Sequence, residues 1–247
     1  MKKGKDGIYA RYIKRILDVV LAFTALVLLS WLYAILAVKV RRNLGSPVLF
    51  TQPRPGKGEK IFQLYKFRSM TDERDADGNL LPDEQRLTRF GRWLRGTSMD
   101  ELPQLWNVLR GDMSLIGPRP QLVRDMVFMT PEQRRRHDVR PGISGLAQVS
   151  GRNALEWERK LEKDVEYVES ISFSQDVFII LKTIAQVVFH KKGIEDNDAD
   201  EVDLTDDYGV FLLKKGNITR SQLDEGFLRA ERILAGEKEE AELARIT

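Results

Sequence analysis

The chain has 247 residues, of which 42% are hydrophobic and 31% are charged, and its formal net charge is only +3. This content supports one domain of ordinary size with shorter additions, and the near-balance of charge predicts no nucleic-acid partner. Cysteine is absent, which excludes disulfides, thiolate zinc sites and cysteine nucleophiles. Only two histidines occur, His137 and His190, so the chemistry must rest mainly on Asp, Glu, Lys and Arg.

The first 42 residues predict a membrane segment. Residues 8–17 alternate apolar side chains with Arg11, Lys14 and Arg15, which is typical of an amphipathic helix at a membrane interface. Residues 19–38 form an uncharged stretch of 20 residues, about enough to cross a hydrocarbon core. Basic residues flank this stretch on both sides, and basic residues mark the cytoplasmic side. We therefore predict a helix that re-enters on the same face, with a spanning helix as the alternative.

Residues 43–192 predict a small α+β domain that is predominantly helical. Residues 46–50 and 61–66 resemble short strands on either side of a turn rich in proline and glycine. Thr130-Pro131-Glu132-Gln133 is a well-formed helix start, and residues 154–170 predict an amphipathic helix. Residues 173–189 predict a helix in the core or at a membrane interface. Three glycines predict a loop over residues 143–152.

The C-terminal part changes composition sharply. Residues 193–207 are strongly acidic and predict a solvated linker. Residues 208–247 predict a short helical appendage with Leu223, Phe227, Ala230 and Leu234 as its apolar stripe.

Residues 97–120 carry the strongest candidate for chemistry. Asp100 and Glu101 stand just before a helical apolar pattern, and Ser98 with Glu101 has the spacing of a capping box. A helix N-terminus favours negative charge, so both carboxylates are expected there whether they only cap the helix or take part in catalysis. Further on, prolines on both sides of Arg119 hold its backbone extended, which suits the presentation of a guanidinium group to an anion.

Taken together, several motifs resemble those of the bacterial sugar transferases that initiate glycoconjugate synthesis, the monotopic polyprenol-phosphate phosphoglycosyltransferases. The resemblance runs from Tyr12 to about residue 190 in the order of the family. The matching segments are the hydrophobic N-terminus, FTQPRPG (50–56), YKFRSM (65–70), SMDELPQLWNVLRGDMSLIGPRP (98–120), VRPGISGLAQVSGRN (139–153) and ISF (171–173).

The resemblance implies a role for each matching position. Asp100 would be the nucleophile and Glu101 the ligand of a Mg²⁺ ion. Lys66, Arg119 and Arg152 would contact phosphate groups. The remaining candidates for substrate binding are Pro120, Arg95 and Arg140.

The resemblance also implies the reaction. A sugar-1-phosphate would pass from a UDP-sugar to a membrane polyprenol phosphate, undecaprenyl phosphate, through a covalent phospho-sugar aspartate. The product would enter glycoconjugate or exopolysaccharide synthesis. The enzyme would lie at the inner membrane with its catalytic domain on the cytoplasmic face. A homodimer, and glycan-assembly proteins bound through the appendage, are further partners to consider.

One departure from the family concerns the membrane segment. The family usually carries Ser-Pro near the middle of this helix, where the proline helps to bend it, whereas here Ser30 is followed by Trp31.

Two other functions are alternatives to the transferase. A glycoside hydrolase needs two carboxylates about 5–9.5 Å apart across a bond, which adjacent residues match poorly. A membrane-anchored scaffold without catalysis would recruit glycan-assembly proteins instead.

Overall fold

A bent pair of helices leads into two small sheets surrounded by short helices. The structure is a computed structural model that describes residues 4–151, 156–189 and 207–236. The strands are β1 (Leu49–Pro55), β2 (Ile61–Phe67), β3 (Ser114–Ile116) and β4 (Gly142–Ser144). The helices are α1 (Lys14–Leu28), α2 (Ser30–Leu44), α3 (Asp83–Arg86), α4 (Arg89–Gly96), α5 (Gln104–Arg110), α6 (Val123–Met126), α7 (Pro131–Arg134), α8 (Leu146–Gly151), α9 (Trp157–Ser170), α10 (Phe173–Phe189), α11 (Tyr208–Lys214) and α12 (Arg220–Ala235).

Each sheet has two strands. β1 and β2 form an antiparallel hairpin in which Leu49 faces Phe67 and Pro55 faces Ile61. A 3₁₀ turn at Lys57–Glu59 connects them. β3 runs parallel to β4. The predominantly helical α+β class predicted from the sequence is thus confirmed.

The N-terminal helices are sharply bent against each other. A π-helical turn at Tyr9–Ile13 leads into α1, and α1 meets α2 at an angle of 64°. No single helix among the described residues is long and apolar enough to cross a bilayer, but the bent pair together has the necessary length and composition. The break falls at Leu29, whose ψ of 5° leaves the helical region. The chain therefore bends without the proline that the family usually has.

Both helices of the pair are fixed to the same domain. α1 buries Ala22 against Leu105 and Val108 of α5, while α2 buries Leu36 and Val40 in a second cluster. The two clusters share β2, which gives Leu64 to the first and Phe67 to the second.

A buried polar contact adds to this packing. The carboxylate of Asp18, in α1, accepts hydrogen bonds from the Ser114 hydroxyl at 2.7 Å and from the Leu115 N–H at 3.0 Å. Because Ser114 and Leu115 both belong to β3, the first helix is tied to the second sheet as well as to α5.

The loop predicted for residues 143–152 is wrong over the described part, residues 143–151, which contribute to β4 and form α8. Residue 152 lies outside the described residues. The glycines serve close backbone approach instead. A Cβ atom on Gly142 would lie 2.0 Å from the backbone nitrogen of Gly117, and one on Gly117 would lie 2.5 Å from the carbonyl oxygen of Arg140. Only glycine lets the two segments pack this closely.

The helix start at Thr130 and the two helices predicted for residues 154–170 and 173–189 are confirmed over the described residues. α7 has the predicted cap, since the Thr130 hydroxyl accepts a hydrogen bond from the Gln133 N–H. α9 is amphipathic, with Trp157, Leu161 and Val165 on its buried face, and α10 has the predicted bounds. α10 buries Ile179 but exposes large apolar side chains along another face, which is the pattern of an interface-lying helix. The exposed residues are Phe173, Phe178, Leu181 and Ile184.

The C-terminal helices pack against the domain rather than extending from it. The Asp125 carboxylate of α6 accepts a hydrogen bond from the N–H of Tyr208 at 3.0 Å, and Ala230 packs on Val123 and Met126. The predicted stripe is correct at Leu223 and Ala230, which are buried, and wrong at Leu234, which is 46% exposed. Ile233 packs inward instead, because it lies three residues beyond Ala230 on the same helix face. Residues 193–206 of the acidic linker lie outside the described residues.

Candidate active site

Asp100 and Glu101 lie in one 3₁₀ turn, Met99–Glu101, just before α5. The predicted capping box is wrong, since the Ser98 side chain makes no capping hydrogen bond. Ser98 has a left-handed backbone with φ of 54°, whereas a capping side chain requires an extended backbone at that position. A left-handed residue other than glycine is uncommon and costly, and such residues cluster at functional sites.

Two cations converge on the carboxylate pair. Lys66, near the end of β2, places its Nζ 3.2 Å from Oε1 of Glu101 and 3.9 Å from Oδ2 of Asp100. Arg119 donates from Nη2 to the same Glu101 oxygen at 2.8 Å. The structure therefore brings together four residues that the sequence had placed in the site.

The environment separates the protonation behaviour of the two acids. Asp100 is only 6% exposed, and its burial raises its pKa to about 6 against the opposing charge of Lys66, with the neighbouring Glu101 adding to the rise. Burial also acts to raise the pKa of Glu101, but Arg119 and Lys66 outweigh it and lower that pKa to about 2. A pair of carboxyl groups with separated pKa values is a common feature of catalytic sites.

The backbone around Arg119 is held on three sides. The Pro118 carbonyl accepts a hydrogen bond from the Gly142 N–H at 2.9 Å, and the Pro120 carbonyl accepts one from Arg54 at 3.2 Å. The Arg119 carbonyl accepts one from Nη2 of Arg136 at 2.5 Å. Pro120 therefore contributes through its backbone position, and the Arg119 guanidinium extends from a fixed loop.

Arg136 and Asp164 hold this loop in place, although the sequence did not predict a role for either residue. Arg136 is 1% exposed, and its Nη2 lies 2.6 Å from Oδ2 of Asp164 on α9. Asp164 stands beside Leu161 and Val165 on the buried side of α9, and a carboxylate within an apolar stripe is the signal that could have indicated a buried ion pair.

The other predicted binding residues are placed differently. Arg95, on α4, donates to the Ser69 hydroxyl at 2.8 Å, and its charge acts to lower the pKa of Asp100. Arg140 donates from Nε to the carbonyl of Gly111 at 2.8 Å, at the end of α5 opposite the carboxylates. Its role in substrate binding stays a prediction. Arg152 lies outside the described residues.

The pair suits a Mg²⁺ ion in its chemistry. Mg²⁺ is commonly bound by one or two carboxylates, with substrate phosphates and water as its other ligands. The contacts from Lys66 and Arg119 both end on Oε1 of Glu101, so neither occupies Oε2. Within the described ranges, no group of three or more His, Asp or Glu residues could hold a metal ion by itself. An ion bound at the pair would therefore need ligands from the substrate or from water.

We predict that Asp100→Asn stabilises the protein at neutral pH. Because the pKa of Asp100 is raised to about 6 from 3.8, the folded state binds the proton more tightly. The contribution of Asp100 to the free energy of unfolding should therefore decrease as the pH rises from about 4 to about 6. At pH 7 the ionised side chain lowers the free energy of unfolding by up to about 3 kcal/mol. Chemical denaturation should show a higher free energy of unfolding for the variant at pH 7 and little difference near pH 4.

Asp72→Asn is the matched control, since the Asp72 side chain is 56% exposed and should give no such gain. Lower stability of Asp100→Asn at pH 7 would contradict the charge distribution described for the site.

Comparisons with known proteins identify the family of the chain. The family described as bacterial sugar transferase matches residues 9–190. A protein of Bacillus subtilis named uncharacterized sugar transferase EpsL is 51% identical over 183 residues, which are 74% of this chain and 90% of that protein. The UDP-N-acetylgalactosamine-undecaprenyl-phosphate N-acetylgalactosaminephosphotransferase of Aeromonas hydrophila is 42% identical over 189 residues.

Coverage differs among these relatives. The alignment with the Aeromonas protein covers 73% of this chain but only 44% of that protein. The UDP-glucose:undecaprenyl-phosphate glucose-1-phosphate transferase of Caulobacter vibrioides is 38% identical over 185 residues, which are 71% of this chain and 69% of that protein. The part of the chain that holds α1 to α10 lies within the match, and it includes every site residue named above. The chain belongs to the bacterial sugar transferase family.

Proposed function

We propose that this protein transfers a sugar-1-phosphate from a UDP-sugar to undecaprenyl phosphate, giving UMP and a polyprenyl diphosphate-sugar. The observation that carries the proposal is the buried Asp100 beside Glu101, with Lys66 and Arg119 converging on the pair. The names of the Aeromonas and Caulobacter relatives support the choice of both substrates. The reaction would be the first membrane step of a glycan assembly pathway.

In the first step, the ionised carboxylate of Asp100 attacks the phosphorus that carries the sugar. A new bond forms between Oδ and phosphorus, and the bond to the bridging oxygen of the diphosphate breaks. UMP departs with that electron pair. Lys66 and Arg119 supply positive charge where the phosphate oxygens gather negative charge, which is the main contribution a protein makes to such a transfer.

In the second step, a phosphate oxygen of the polyprenol phosphate attacks the same phosphorus. The bond between phosphorus and Asp100 breaks, the carboxylate is regenerated, and the diphosphate of the lipid-linked sugar is complete. Two displacements at one phosphorus require no oxidant and no water. Burial of Asp100 helps to keep water from hydrolysing the intermediate.

Glu101 is the residue that we propose to hold Mg²⁺. When bound, the ion would neutralise the charge of the nucleotide diphosphate. The low pKa of Glu101 keeps it ionised at any working pH, and a carboxylate must be ionised to bind a metal ion.

A catalytic role explains the pair better than a scaffold does. A buried carboxylate whose pKa is raised to about 6 destabilises the fold at neutral pH, and a protein that only recruits partners gains nothing from that cost. A glycoside hydrolase is also less suitable, because Asp100 and Glu101 are neighbours on one turn and cannot stand on opposite sides of a glycosidic bond.

We further propose that the bent helix pair re-enters the membrane, with the catalytic domain on the cytoplasmic face. Ala22 and Leu36 are both buried against that domain, and only 13 residues lie between them. Even a straight helix of this length reaches roughly 20 Å, less than the ~30 Å of a hydrocarbon core. Residues at the bend are exposed and apolar, as lipid contact requires: Phe23, Val27, Leu28 and Trp31.

We predict a covalent phospho-sugar adduct on Asp100. Purified protein incubated with Mg²⁺ and a panel of UDP-sugars, but no lipid acceptor, should gain the mass of one sugar phosphate with the correct sugar and release one UMP. The adduct should be absent in Asp100→Asn and present in Asp72→Asn. Release of the sugar phosphate only when undecaprenyl phosphate is present, with no adduct at any time, would contradict the two-step mechanism.

We predict that the chain on both sides of the membrane segment is cytoplasmic. Because the protein has no cysteine, Lys5→Cys and Lys57→Cys each introduce a single label site. In intact cells an impermeant maleimide should label neither variant, and both should react once the cells are opened. Labelling of Lys5→Cys but not Lys57→Cys in intact cells would show a spanning helix.

A further inference from the structure

A cavity of about 390 Å³ lies apart from the carboxylate pair, between the start of the chain, β3 and the segment that leads to β4. Arg140 lines it and also caps the far end of α5. The carboxylates lie just before the first residue of α5, and Arg140 lies at its other end. The length of α5, about 10 Å, therefore separates Arg140 from the carboxylates. The lining is rich in basic residues: Lys5, Arg11, Lys14, Arg15, Lys57 and Arg140.

The acidic residues of the cavity do not balance this charge. Of the three aspartates that line it, Asp18 is already committed to Ser114 and Leu115, and Asp138 pairs with Lys5. Asp6 is exposed at the rim. Outside the lining, Asp176 pairs with Lys14 at 2.5 Å. Six basic and three acidic side chains line the cavity, which leaves a formal excess of three positive charges, or two when Asp176 is counted.

Two of these arginines are brought together by one helix end. Arg15 donates to the carbonyls of Val108 at 2.6 Å and Leu109 at 3.0 Å, and Arg140 donates to that of Gly111. Burial and the charge of Arg140 lower the pKa of Arg15. An anion between the two guanidinium groups would relieve their repulsion.

Exposed apolar residues stand beside lining residues of the cavity in the sequence, since Tyr12 follows Arg11 and Ile16 follows Arg15. Ile8, Tyr12 and Ile16, on the amphipathic start and α1, are 67%, 58% and 64% exposed. Phe173 of α10 is 58% exposed, and its ring meets that of Tyr9 edge-on at 5.8 Å. Basic residues beside exposed aromatic and aliphatic side chains are the composition of a surface that binds anionic membranes.

We propose that this cavity binds the phosphate headgroup of an anionic bilayer phospholipid, with the acyl chains lying over the neighbouring apolar residues. A free phosphate ion would use the basic residues but not the apolar residues, which favours a lipid. The inference rests on the membrane association proposed above and not on the phosphoryl chemistry. With such a site, the orientation of the domain on the membrane would depend on the headgroup composition of the bilayer.

Lys57 and Lys60 provide a matched test. Both are exposed and belong to the β1–β2 connection, but only Lys57 lines the cavity. Binding of the full-length protein is measured to vesicles of phosphatidylcholine with and without phosphatidylglycerol. We expect phosphatidylglycerol to tighten binding of the wild type, and Lys57→Glu to reduce this gain at least about fivefold more than Lys60→Glu.

Equal effects of the two substitutions would show general surface attraction and overturn the proposal. Competition by soluble dioctanoyl phosphatidylglycerol but not by inorganic phosphate supports a lipid site, while equal competition by both overturns it. The proposal would also be overturned if Lys57→Glu raised the KM for undecaprenyl phosphate in neutral vesicles while the response to phosphatidylglycerol stayed intact. That result would show that the cavity binds the lipid acceptor. Adduct formation in detergent reports separately on the chemistry.

Discussion

The contact between Glu101 and its two cations is the interaction on which the site depends. Arg119 and Lys66 hold Glu101 in its charged form, while burial, with the fixed negative charge of Glu101 adding to it, raises the pKa of Asp100. The two acids thereby differ in protonation although they are neighbours in sequence. Removal of either cation would weaken the effect that opposes burial and keeps the pKa of Glu101 low.

The same domain that shapes this pair also fixes the membrane helices. β2 carries Lys66 to the carboxylates and gives Leu64 and Phe67 to the clusters that hold α1 and α2. In the proposed reaction a donor from the cytoplasm and an acceptor in the bilayer meet at one phosphorus, which requires the site to stand at a fixed height above the membrane. Packing of both helices on the strand that carries Lys66 provides that constraint.

Much of this could be predicted from the sequence, and the failures have physical causes. The helix start at Thr130 and the gathering of Lys66 and Arg119 with the acids follow from local signals and motif order. The conformation of Ser98 could not be predicted, since its left-handed backbone contradicts a good capping pattern and is held by tertiary structure. The buried pair of Arg136 and Asp164 joins residues 28 positions apart, so the carboxylate within the apolar stripe of α9 indicates a buried partner but does not identify Arg136 as that partner.

If Asp100 attacks as a carboxylate whose pKa is raised in the free enzyme, its ionisation should control the first chemical step. The decisive measurement is the rate of the first UMP release at limiting UDP-sugar, without lipid, as a function of pH. We expect a constant rate at neutral pH and a decrease of roughly tenfold per unit below about pH 6, because protonated Asp100 cannot attack. A rate that stays constant down to about pH 4.5 would contradict this expectation.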